Sequence, residues 1–169
     1  MEPVAAGAPT VLLADADVLI DYRDSDLEIL ALITQHFARL VVASPILDEV
    51  SGLAADRCGA LGIEVIEPEM TVLREAALPE PNVSFNDRLC FVICRNKGWT
   101  CLTNDQALRR LCRRRGVAVR YGLVLMVDLV ETGAISCERA LSVAERIHKV
   151  NPLHINQSIL SRFEAAVRR

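Results

Sequence analysis

TVLLADADVLID, residues 10–21, joins a strand to a helix through an acid. Residues 10–14 form a short apolar run of strand character, Asp15 ends it, and the apolar VLI at 18–20 runs straight into a segment of helical period. A strand that delivers an acid to the start of a helix is the opening of an α/β unit. Outward from this point the pattern repeats. Strands are expected at residues 10–14, 40–43, 64–66, 100–103 and 117–120, alternating with longer helical segments, the signature of a mostly parallel sheet with helices on both faces. Ser25-Asp26-Leu27-Glu28 reads as a capping box before an apolar stripe of Leu27, Leu30, Ile33, Thr34 and Phe37. Ser44-Pro45 supplies a capping hydroxyl and an N1 proline, which sets Glu49 one turn inside a helix. Ser84 and Asp87 start a further helix whose LCFVIC core is apolar nearly all round and which Gly98 closes. Asn104-Asp105 opens an arginine-bearing helix. From Gly122 the pattern changes to helices at 123–131, 136–149 and 157–167, giving a core at residues 10–121 and a helical extension at 122–169, packed on or beside the same domain.

Composition narrows the class. A chain of 169 residues is the size of one domain, and 51% apolar content with only 4% aromatic implies a core of Leu, Val, Ile and Ala. The opening MEPVAAGAPT has neither the basic region nor the apolar run of an export signal, and no stretch is long and apolar enough for a membrane span, so a soluble cytoplasmic protein with no membrane association is expected. Cysteines at 58, 90, 94, 101, 112 and 137 form no C-x-x-C pair and read as small buried hydrophobes in a reducing compartment. His36, His148 and His154 lack ligand spacing and are assigned no chemistry. The net charge of −3 argues against a cation-coated surface, yet Arg109, Arg110, Arg113, Arg114, Arg115 and Arg120 crowd into one stretch. Arg109, Arg110 and Arg113 are the candidates for phosphate contact; charge placed there for solubility is the competing account.

Four acids fall where an open parallel sheet binds ligands, beyond the carboxyl ends of its strands: Asp15, Glu49, Asp87 and Asp105. Each alone is explained by helix capping and the helix dipole; together they suggest a cluster whose repulsion a hard divalent cation relieves. Mg²⁺ or Mn²⁺ held there suits phosphodiester hydrolysis without a side-chain nucleophile. Asp15, Asp87 and Asp105 are the expected ligands, with Glu49 ligating directly or through water. Thr103 and Asn104 are expected to orient water or a phosphate oxygen, Ser84 to bond Asp87 or cap its helix, and Asp17 either to support the cluster or to cap the helix at VLI. Asp21, Asp48 and Asp128 read as solvated or local partners.

The motifs LLADADVLID (12–21), ASPILDEV (43–50), SFNDRLCFVICRNKG (84–98) and LTNDQALRRL (102–111) resemble those of PIN-domain ribonucleases, the fold shared by VapC-type toxins, over about residues 11–121. The resemblance implies a five-stranded parallel sheet in a three-layer α/β/α domain, metal ligation by Asp15, Glu49, Asp87 and Asp105, dependence on Mg²⁺ or Mn²⁺, and endonucleolytic cleavage of RNA. It also implies a homodimer and an antitoxin protein as partner. Asp17 stands where that family often has Asn, and the extension after Tyr121 departs from the short toxin pattern. Two other readings compete: a haloacid-dehalogenase-like phosphatase, suggested by Asp15-Ala16-Asp17 but lacking a polar phosphate-binding turn, and a non-catalytic PIN-like module that binds RNA or protein.

Overall fold

A computed structural model of the chain describes residues 10–169; residues 1–9, where an export signal was sought, lie outside the described residues. Val11–Ala14 (β1) pairs in parallel with Arg39–Ala43 (β2) on one side and Thr100–Leu102 (β4) on the other; Ile63–Ile66 (β3) and Val119–Arg120 (β5) complete the edges. The order is β3-β2-β1-β4-β5, all parallel. Leu12, Leu13 and Ala14 on the central strand are fully buried, because helices cover both faces of a parallel sheet and leave no polar side. β5, with two residues, is a blunt edge. These strands coincide with the expected ones to within about two residues, the usual uncertainty of element ends.

The helices fall into two packed groups. Ala16–Ser25 (α1) and Glu28–His36 (α2) follow β1, and the extension helices Val124–Glu131 (α8), Cys137–Val150 (α9) and Gln157–Val167 (α10) pack with them, α9 on α1 and α8 on α2. Met70–Ala76 (α5), Phe85–Lys97 (α6) and Gln106–Arg114 (α7) pack in sequence, with α6 against β1 and β4. The strand order accounts for the two groups: the chain steps outward through β2 and β3, then returns past β1 to β4, and connections of one hand then lie on opposite faces of the sheet. Two short helices, Ser44–Leu47 (α3) and Ala55–Ala60 (α4), flank β3's approach.

Two local expectations fail. Ser25 does not cap α2: it ends α1, where its hydroxyl donates to the Asp21 carbonyl at 2.6 Å, and Leu27 stands at the α2 cap without a side-chain bond. The Asp26 carboxylate serves the corner instead, accepting from Glu28 N at 3.2 Å and from Arg139 Nε at 2.9 Å. At Ser44-Pro45 a helix does start directly after β2 with the proline in its first turn, but Ser44 is not the cap, since its hydroxyl donates to Glu67 at 2.7 Å, and α3 stops after Leu47. Val50 and Leu53 are buried, and the left-handed Gly52 (φ 77°) turns the chain between them. Glu49 therefore sits in a turn and is exposed, not one turn inside a helix. The α6 expectation holds in full: Ser84 and Asp87 form the capping box, Leu89–Cys94 are buried, and Gly98 ends the helix at φ 67°.

Candidate functional site

The order of strands reverses between β1 and β4, and the crevice at a reversal is where an open α/β sheet leaves room for a ligand. Asp15 stands at the end of β1 on one side of it and Asp105 just beyond β4 on the other. Asp15 is 4% exposed. One oxygen accepts from Ala16 N at 2.7 Å as the α1 cap, and the other accepts from the Thr103 hydroxyl at 2.8 Å. The same hydroxyl oxygen accepts from Asp105 N at 3.0 Å, so Thr103 joins the two acids across the crevice. Asp105 caps α7, accepting from Leu108 N at 2.7 Å. Asp87, in the first turn of α6, accepts through one oxygen from both N and Oγ of Ser84, at 3.2 and 2.7 Å.

Burial, followed by the charge of Asp87 and more weakly that of Asp17, pushes the Asp15 carboxyl up to about 7, against the opposing bonds from Thr103 and Ala16. Burial is also the main reason the Asp87 carboxyl is raised; Asp105 and Asp17 push the same way while Ser84 opposes them. Asp15, Asp17, Asp87 and Asp105 thus share one electrostatic neighbourhood. Glu49 stands apart at the rim, its carboxylate taking a bond from the Asn86 amide beside Asp87. Asp15, Asp87 and Asp105 are hard oxygen donors whose mutual repulsion a divalent cation would relieve, so the chemistry of the set fits Mg²⁺ or Mn²⁺. Their spacing is that of caps: among the described residues no three acidic, histidine or cysteine side chains stand together as a ligand group.

Several side chains have partners the sequence did not disclose. Asn104 does not face solvent. It is 3% exposed, accepts from Gly122 N at 3.0 Å and donates to Asp21 at 3.1 Å. Gly122 permits this approach, since a Cβ there would lie 3.2 Å from the Asn104 amide. Asp21 is not solvated but buried, with Asn151 of the extension as its second donor at 3.0 Å, and burial raises its carboxyl to about 6 against those two bonds. Its signal in the sequence was a position three residues beyond Val18, on the buried face of α1. His154 brings its ring to 4.0 Å from Asp17, which lies in the first turn of α1 while Asp15 does the capping. Cys90, Cys94, Cys101 and Cys112 are buried. Burial, then the charge of Asp15, raises the Cys90 thiol well above its usual value and leaves it no nucleophile at neutral pH.

The arginine cluster divides in two. Arg114 and Arg115 pair with Glu80, and Arg120 with Asp128. Arg109, Arg110 and Arg113 have no carboxylate partner among the described residues. Arg109 donates to the Asp105 carbonyl at 3.2 Å and lies over the Tyr121 ring, 4.3 Å from its centre. Arg110, Arg113 and Arg114 line a cleft of about 430 Å³ with residues 80–83, the segment that precedes Ser84 in the chain. Comparison with models of known protein families and with curated proteins gives no match to this chain. Among the described residues no helix is long and apolar enough to cross a membrane.

Proposed function

We propose that this chain is a divalent-metal-dependent endoribonuclease of the PIN-domain type, with Mg²⁺ or Mn²⁺ held by Asp15, Asp87 and Asp105 and with Glu49 at the rim. The observation that carries this reading is the seat of Asp15: a buried carboxyl at the strand-order reversal, raised to about 7 by burial and by Asp87, with Thr103 tying it to the Asp105 loop. A carboxyl perturbed both by burial and by a neighbouring acid, seated in a crevice, is a candidate functional group on physical grounds. When bound, the cation supplies positive charge against the attacked phosphate and acidifies the attacking water. Thr103 fixes the orientation of Asp15, Ser84 that of Asp87, and the unpaired Arg109, Arg110 and Arg113 draw the strand to the crevice. A cytoplasmic setting, a homodimer and an antitoxin partner belong to the same reading.

The engagement of all three acids as helix caps favours a second reading, a PIN-like module that binds RNA without cutting it. End-labelled RNA incubated with the full chain and Mn²⁺ separates the two. Catalysis is expected to give fragments that disappear with EDTA and fall by about a hundredfold or more in Asp15→Asn and Asp87→Asn. RNA that is retained but stays whole supports the binding module and refutes the nuclease.

A further inference from the structure

We infer that the cleft between the extension and the loop after β4 is a nucleobase subsite, which takes one unpaired, phosphate-bearing nucleotide of an RNA strand. The identity of the strand rests on the ribonuclease reading; the pocket does not. The cleft holds about 320 Å³, at the small end of ligand sites. Val124 and Val127 of α8 and Ile159 and Phe163 of α10 give it apolar walls, and Val124 remains 38% exposed in spite of its character. Arg109, which lies over the Tyr121 ring, and Arg162 both line this cavity; among the described residues no acidic side chain lines it and neither arginine has an ion pair.

An apolar cavity lined by two arginines with no carboxylate partner among the described residues selects a flat apolar body that carries negative charge. A nucleotide is such a body: its base contributes a face for packing and its phosphate a partner for guanidinium. The volume suits a single ring system and leaves no space for the row of side chains along a docked helix. Position supports the same occupant. Arg109 contacts the backbone of Asp105, and Asn104, next in the chain to Asp105, lines the pocket, so a base held here keeps its strand beside the carboxylates. The extension thereby acquires a role in choosing which nucleotide lies next to the crevice.

Binding of fluorescein-labelled unstructured RNA to the full chain in EDTA, where no strand is cut, tests this against a ribose-phosphate strand of equal length without bases. The base-bearing strand is expected to bind about tenfold tighter. Val127→Trp on α8 and Ala166→Trp on α10, which fill the cavity from two helices, are expected to remove that preference and leave the abasic strand unaffected. Arg162→Gln, on an exposed position, is expected to weaken both strands by about threefold. Circular dichroism identifies any filled variant that does not fold, and the other wall then carries the test. Equal binding of the two strands by wild type, or an undiminished preference in a folded filled variant, overturns the subsite and leaves the cavity to a peptide. Base-dependent binding without cleavage in Mn²⁺ would refute the nuclease and keep the subsite, whereas cleavage with no base preference would do the reverse.

Discussion

Asp15 uses both carboxylate oxygens for the fold, one on the α1 backbone and one on Thr103, at the position where the candidate chemistry also needs them. Its raised pKa has a defined consequence. The buried site favours the protonated form, so the stability this group contributes is complete below its ordinary value of 3.8 and is lost as pH rises through about 7. In metal-free buffer the wild type is expected to lose stability across that window. Asp15→Asn, which keeps one accepting oxygen, is expected to flatten the loss and to gain roughly 2–4 kcal/mol on wild type between pH 5 and pH 8. Thermal unfolding of both proteins at the two pH values measures it, and equal pH dependence would contradict the assigned environment. At this scale the sequence exposes residues whose place follows from local pattern. Asp15, Asp87 and Asp105 all sit at element starts that periodicity and capping locate. Asp21 was misread because its two donors, Asn104 and Asn151, lie 83 and 130 positions away along the chain.

The element boundaries show the same division between local and distant causes. α6 begins and ends where its own residues dictate, with a reciprocal cap at one end and a left-handed glycine at the other. The corner at Asp26 and the turn holding Glu49 answer to remote partners, Arg139 for the first and Glu67 for the second, through Ser44. No window of sequence around Ser25 or Ser44 contains those partners, so the capping signatures there misassigned the two hydroxyls, although α3 does begin at Ser44 with Pro45 in its first turn. The bond from Asn151, after α9, to Asp21 of α1 is the test case for such long-range ties. Asn151→Ala is expected to destabilise the chain by about 1–2 kcal/mol in chemical denaturation. Since the Asn151 bond lowers the Asp21 carboxyl, its removal is expected to move that titration upward, which carboxyl-carbon NMR reads directly. A titration that stays in place would mean the bond is not formed in solution.

For the whole molecule, alternation of short apolar strands with helical segments was enough to anticipate a parallel sheet covered on two sides, because both periods are written in consecutive residues. The strand order was not, and it is the order that makes a crevice between β1 and β4. The net charge of −3 conceals a local asymmetry in the same way: ion pairs engage Arg114, Arg115 and Arg120, while Arg110 and Arg113 line a cleft with residues 80–83 and have no carboxylate partner among the described residues. Replacing Arg110 and Arg113 together by Gln is expected to weaken RNA binding alike for all sequences and to reduce the salt dependence of log Kd by about 0.7 per lost phosphate contact. Arg114→Gln is expected to leave that slope unaltered. A slope that responds to Arg114 instead would put the strand on another face.

If Asp15, Asp87 and Asp105 gather around one divalent cation, anomalous diffraction from a crystal soaked in Mn²⁺ will locate it. The expected map has a peak in the β1–β4 crevice bonded to carboxylate oxygens of Asp15 and at least one of Asp87 and Asp105. A crevice without a peak, in a crystal where Mn²⁺ binds elsewhere, would contradict that arrangement.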